Sequence, residues 1–225
     1  NVSLYNETSG RAIFPTPTIA VVGLLDDVQH HAVSHFEEAG LAIVLLGETR
    51  EELGGSEWLQ LRRGLEAGLP PRVDLAHELR LQRLLAEGVA SGLVRTAHDV
   101  SNGGLAVALA ECGFTGPAGV RVGARVELAD GIRPEALLFG ESTGRVLVAT
   151  GNPETLLARA RAADVPARRI GTTGGSRLVI RHAPSTGLAS GAPAASGVTN
   201  WIDAEIARLE TIWARAIPRR LEQTR

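Results

Sequence analysis

The sequence predicts an α/β (α+β) domain, a layered mixed sheet with flanking helices. Three observations carry this. Short buried apolar runs, Ala42 to Leu46 and Arg145 to Thr150, have strand length. Between and around them lie segments with apolar residues at helical spacing, Asp74 to Ala90, Leu105 to Glu111 and Pro153 to Ala163. Val120 to Leu128 alternates in the manner of a strand with one solvated face. Strands and helices in alternation build layered α/β domains.

Taken in order, Thr18 to Leu25 follows Pro15-Thr16-Pro17 and reads as a buried strand with a proline-fixed start. Ala42 to Leu46 is a second strand, stopped by Gly47. Ser56 is a natural N-cap after Gly54-Gly55, and Glu57 suits the positive end of the helix that follows. Asp74 caps the next helix, where Leu75, Leu79, Leu81, Leu84, Leu85 and Val89 recur at helical spacing. Val94 to Ala97 is a short strand leading into a glycine-containing loop and the apolar helix from Leu105. Pro153 sits in the first turn of its helix, a position that tolerates proline. Ile170 and Leu178 to Ile180 suggest a closing strand pair. Pro184 to Val198 has the Pro, Gly, Ser and Ala composition of a linker. Trp201 to Ile217 reads as an amphipathic helix that packs back on the body. The expected division is 1–22, 23–183, a linker over 184–199 and a C-terminal helix over 200–225.

Hydrophobic residues make up 44% of the chain and charged residues 21%, enough for a core. A net charge of −2 gives no electrostatic footprint for nucleic acid or an anionic membrane. No apolar run approaches the ~20 residues of a membrane span. Cys112 is the sole cysteine, so no internal disulfide forms, as fits a reducing cytoplasm. The sequence has no methionine and the chain opens at Asn1 inside a motif that runs to Thr8, so a fragment of a longer chain is expected, with a processed or engineered start as the alternative.

The loop Thr96-Ala97-His98-Asp99-Val100-Ser101-Asn102-Gly103-Gly104 is the most loaded local feature. A strand delivers His98 and Asp99 to a turn, paired glycines follow, and a helix begins. Free N–H groups at a helix start suit a phosphate, and glycine lets the anion approach. His98 could add a donor, and Asp99 could hold a metal or orient a hydroxyl. The same residues also serve as an ordinary Asp/Ser/Asn cap with turn glycines. Gly140-Glu141-Ser142-Thr143-Gly144-Arg145 could present Glu141 and Ser142 to a ligand, or form a tight turn with Arg145 solvated. His31 and His35 would share a helix face at a metal-binding spacing, but Glu38 and Asp27 are the only carboxylates near register, which favours a solvated face. Cys112 reads as a small core residue. In Asn1-Val2-Ser3-Leu4-Tyr5-Asn6-Glu7-Thr8, an extended chain puts Asn1, Ser3 and Tyr5 on one face, and an Asn carbonyl is a hard ligand suited to Mg²⁺.

These segments together resemble one family, the synthetase subunit of phosphoribosylformylglycinamidine synthase. The resemblance rests on Asn1 to Thr8, Ile13-Phe14-Pro15-Thr16-Pro17, Gly54-Gly55-Ser56-Glu57, Thr96 to Leu105 and Leu138-Phe139-Gly140-Glu141-Ser142, in the family's order. The later motifs are shared with a wider superfamily that includes aminoimidazole ribotide synthetase and selenophosphate synthetase. The resemblance implies the second α/β, C-terminal domain of that superfamily, preceded over 1–22 by the last strand of an ATP-binding domain. It implies a ligase in de novo purine biosynthesis that uses ATP, Mg²⁺ and glutamine-derived ammonia on formylglycinamide ribonucleotide. It places Asn1 as a Mg²⁺ ligand and Ser3 as a substrate contact. His98, Asp99, Ser101, Asn102, Gly103, Gly104, Glu141 and Ser142 become a candidate anion or nucleotide loop. The family's Glu-Ser-Gln differs from this chain at Thr143. Its catalytic histidine lies upstream, so no catalytic residue is expected here and the fragment is expected to be inactive alone. Implied partners are the missing N-terminal half, a glutaminase subunit and a small adaptor subunit. The alternative is a non-catalytic structural domain that holds a nucleotide or anion.

Overall fold

The computed structural model describes residues 7–8, 10–12, 19–25, 27–117, 119–129, 131–182 and 199–223. Strand β1 (Glu7–Thr8) pairs antiparallel with β2 (Arg11–Ala12). The body follows as β3 (Ala42–Leu46), α1 (Glu57–Arg63), α2 (Leu75–Ala90), β4 (Thr96–Asp99), α3 (Gly104–Phe114), β5 (Ala124–Leu128), α4 (Pro134–Phe139) and β6 (Val146–Thr150). It ends with α5 (Pro153–Ala162), β7 (Ala167–Thr173), β8 (Arg177–His182), β9 (Thr199–Glu205), α6 (Ile206–Ala214) and α7 (Ala216–Gln223).

Seven strands form one mixed sheet in the order β4-β6-β3-β7-β5-β8-β9. β5 and β8 run parallel, and the other pairs are antiparallel. β3 is buried along its whole length because both of its faces are covered. On the first face Ile43, Leu45, Val126, Leu147, Leu178 and Ile180 pack against α3, α4 and α6 through Leu105, Leu109, Leu137 and Ile206. On the second face Val44, Leu46 and Val148 meet α2 and α5 through Leu81, Leu84, Leu156 and Ala160. Cys112 is fully buried in the first cluster, and burial raises its thiol pKa.

The cap expectations hold. Asp74 Oδ1 accepts from the N–H of Ala76 and of His77 at 3.0 Å each. Ser56 Oγ accepts from Leu59 N at 3.3 Å and donates to Leu53 O at 2.6 Å.

Four expectations fail. Residues 19–25 form no strand, and Val21, Val22 and Leu24 are 89%, 94% and 98% exposed. Apolar composition signals a buried strand only where another layer meets it, and no described layer does. The closing strands β7 and β8 do not pair with each other; β5 lies between them. Trp201 and Ile202 belong to β9, which pairs antiparallel with the outer side of β8, so the helix begins only at Ile206. The trailing helix does pack back, with the Phe114 and Trp213 rings 5.6 Å apart. His31 and His35 share no helix face, since residues 27–41 contain no helix, and the His31 Nδ1 lies 2.6 Å from Val28 O. The linker of 184–198 lies outside the described residues.

Candidate functional site

The site grows from two turns that meet between helix starts. β4 ends at Asp99, and Val100 N–H donates to Arg145 O at 3.1 Å, which ties the loop to the start of β6. Gly103 and Gly104 both take left-handed backbone, φ 78° and 70°. A side chain at Gly104 would put its Cβ 2.6 Å from Gly140 O, so only glycine lets α3 start this close to the end of α4.

Glu141 closes the arrangement. Its Oε1 accepts from Gly103 N at 2.8 Å and from Glu57 N at 3.0 Å. One carboxylate oxygen therefore bridges the starts of α3 and α1, where helix dipoles favour negative charge. Ser142 is fully buried beneath, and its Oγ accepts from Arg50 N at 3.1 Å.

Arg145, which a simple turn would leave solvated, is instead 2% exposed. Its Nε donates to Ser142 O at 2.9 Å, Nη2 to Gly140 O at 2.6 Å and Nη1 to Thr49 Oγ1 at 3.1 Å. Burial pulls the guanidinium pKa down to about 10, against the opposing pull of Glu52. The turn of 140–145 is thus organised from inside by a cation.

A groove of about 480 Å³ opens beside these turns. Asp99, Ser101, Asn102, Glu141, Thr143 and Arg145 line it, with Glu78 on the α2 side. Asp99 is exposed and accepts a short hydrogen bond from the Ser101 hydroxyl. Thr143 Oγ1 donates to Arg72 O at 2.5 Å.

Of the residues singled out in the sequence, Asp99, Ser101, Asn102 and Glu141 reach the groove. Gly103 stands behind it with its N–H on Glu141, Gly104 packs on α4, and Ser142 lies below. His98 turns away: its Nδ1 is 2.7 Å from Asp99 O and its Nε2 is 3.6 Å from Glu111 Oε2. Asn1 and Ser3 lie outside the described residues. Sequence reasoning missed Glu78, Thr143 and the inward-turned Arg145. The available signal was a charged residue opening an otherwise apolar strand. Among the described residues no group of three His, Cys, Asp or Glu side chains is placed to hold a metal.

Residues 38–182 match the family model described as AIR synthase related protein, C-terminal domain. The chain belongs to this family. Known relatives agree: this chain is 47% identical over 184 residues to the phosphoribosylformylglycinamidine synthase subunit PurL of Moorella thermoacetica, covering 80% of this chain and 24% of the relative. PurL of Thermomicrobium roseum is 47% identical over 182 residues, with 80% and 25% covered. The chain thus spans about a quarter of the length of the curated relatives it matches. Among solved structures, Thermotoga maritima PurL complexed with FGAR superposes with a TM-score of 0.62 at 20% identity, covering 81% of this chain and 30% of that one. The ATP complex of the same protein gives 0.57 at 21% identity, with 81% and 27% covered. These two likenesses show the fold. Both groove turns lie inside the matched range, and so do all seven sheet strands except β9.

Proposed function

We propose that this chain is the C-terminal α/β part of a phosphoribosylformylglycinamidine synthase. The whole enzyme would join ammonia to formylglycinamide ribonucleotide at the expense of ATP, giving formylglycinamidine ribonucleotide, ADP and phosphate. The observation that carries the reading is the 47% identity to PurL across 80% of the chain. In such chemistry ATP phosphorylates the amide oxygen, and ammonia then displaces phosphate; catalysis is mainly positioning and charge stabilisation.

This chain's share is positional. Asn102 and Ser101 offer amide and hydroxyl groups to a ligand in the groove, with Asp99, Glu78 and Glu141 giving it an acidic wall. An acidic wall suits a nucleotide approached through a cation better than a bare phosphate. The described residues present no metal set of their own, so no step is assigned to Mg²⁺ here; Asn1 remains the proposed ligand. Ser3 remains the proposed substrate contact. The proposed partners are the rest of the synthetase, a glutaminase subunit and a small adaptor subunit, in line with a Thermotoga maritima structure described as PurLQS. No described helix is long and apolar enough to cross a membrane, and a cytoplasmic site of action is proposed.

The test is a chimera. The chain replaces the matching segment of Moorella thermoacetica PurL, and ADP release is followed with formylglycinamide ribonucleotide, ATP and ammonium. Turnover by the chimera and none by the isolated chain is the expected result. A folded but inactive chimera, or turnover by the isolated chain, sinks the proposal.

A second reading is favoured by Glu141. Because its carboxylate already occupies the Gly103 N–H, the loop works as an internal latch, and the domain would serve as a structural support that holds a nucleotide or anion. Calorimetry of the isolated chain with ADP and Mg²⁺ decides this: binding that is lost in Asn102→Ala supports a retained nucleotide site, and no heat removes it.

A further inference from the structure

The two faces of the sheet are covered unequally. On the second face the buried cluster joins α2 and α5 to β3 and β6 and reaches β7 only at Ala167. Beyond it, among the described residues, no helix covers the second face of β5 and β8. In β5 the burial alternates, leaving Arg125 and Glu127 exposed on this side. A register shift in β7 between the partners of Ile43 and Val44 adds one residue to that strand. It keeps Ile170 in the core while both Arg169 and Thr172 face the open side. On β8, Arg181 lies opposite Glu127 in the parallel register.

The result is a shallow trough of about 630 Å³ lined by Arg125, Glu127, Arg169, Thr172 and Arg181. Three guanidinium groups face one carboxylate. Arg169 Nη2 donates to Thr172 Oγ1 at 3.2 Å, and Arg181 Nε donates to Asn200 Oδ1 at 3.0 Å; both acceptors are neutral. The Arg125 guanidinium makes no hydrogen bond or ion pair with another described residue. These three guanidinium charges are therefore not neutralised by an ion pair among the described residues, whereas Arg177 on the same face of β8 is paired with Asp203 and Glu205 of β9.

We infer that this open half of the sheet is a docking surface for an acidic helical segment of a protein partner. A small-molecule pocket is concave and mostly apolar, whereas this trough is open and carries four charged side chains, Arg125, Glu127, Arg169 and Arg181. A bare sheet face in an α/β domain is ordinarily covered by a helix, and arginine is the residue suited to paired carboxylates at an interface. The chain's own segment 183–198 contains no acidic residue, so it does not supply the complementary charge. This surface is separate from the groove at Glu141 and does not depend on the activity proposed above.

The probe is a synthetic amphipathic helix with glutamates along one face, compared with the same peptide carrying glutamines. Binding to the full chain is read by fluorescence anisotropy and by backbone amide shifts. Expected are saturable binding of the glutamate peptide, shifts confined to β5, β7 and β8, and weakening with salt. The triple variant Arg125→Glu, Arg169→Glu, Arg181→Glu should lose about tenfold or more in affinity, while Arg161→Glu on α5 should not. Should the triple variant misfold, the milder Arg125→Gln should still weaken binding measurably. Equal binding of the glutamine peptide, unchanged affinity in the variants, or displacement by inorganic phosphate at the same residues would overturn the inference. So would self-association of the chain through this face.

Discussion

Glu141 shows how one side chain decides the shape of the groove. Its Oε1 holds two backbone N–H groups from helices that are distant in sequence. Glu141→Ala leaves both donors unmet and should cost about 2 kcal/mol, with Glu141→Gln milder because an amide oxygen still accepts. Urea unfolding of both variants checks the order; equal losses would mean that the acceptor is not what matters. Arg145 makes the complementary case. Arg145→Met removes a desolvated cation but strands Ser142 O, Gly140 O and Thr49 Oγ1. Since each unmet buried acceptor costs ~1–3 kcal/mol, a net loss on the order of 2–3 kcal/mol is expected in the same unfolding measurement. At Ser56, which both caps α1 and bonds Leu53 O, replacement by Ala should cost about 1 kcal/mol.

At the scale of the element, α2 gives a prediction with a definite sign. The His77 N–H, and after it Ala76, hold the Asp74 carboxyl below its usual 3.8, against the opposing effect of desolvation. A lowered folded-state pKa means that stability from the ionised cap is fully present above 3.8 and is lost as pH falls through the lower folded value. Parent and Asp74→Asn should therefore differ most in Tm near neutrality and converge in acid; a constant gap across that range would exclude the charge as the cause. This helix was legible in the sequence because its signals are local: a capping Asp and leucines at helical spacing. The same holds for β3, β6 and α5. β9 was not legible, because Trp201, Ile202 and Ile206 fit a helical period, and what makes the segment a strand is the open side of β8, a partner some twenty residues away. The parallel β5–β8 pairing was hidden for the same reason, as was the Glu141 latch, whose two partners lie 38 and 84 residues distant. The loop around Gly103 could be read as special from composition; which group would occupy its N–H could not.

For the whole molecule, the unequal distribution of apolar surface sets behaviour in solution. Ile19, Val21, Val22, Leu24 and Leu25 are between 67% and 98% exposed, consecutive apolar residues of the kind that a single soluble domain rarely leaves open. The resemblance assigns the first part of this stretch to the final strand of a preceding ATP-binding domain, and the chain spans only about a quarter of its relatives. An apolar segment outside any described sheet offers both apolar side chains and unpaired backbone to a neighbour. The isolated chain is therefore expected to associate with rising concentration in sedimentation velocity, and Val22→Asp with Leu24→Asp should abolish that association while leaving the unfolding transition of the body unchanged. We propose that a preceding domain covers these residues in the longer protein, so that in the Moorella chimera, unaltered, they should no longer drive association. Association that survives in the chimera would show that this segment stays uncovered in the longer protein, and would separate the question of what covers residues 19–25 from the question of what the enzyme does.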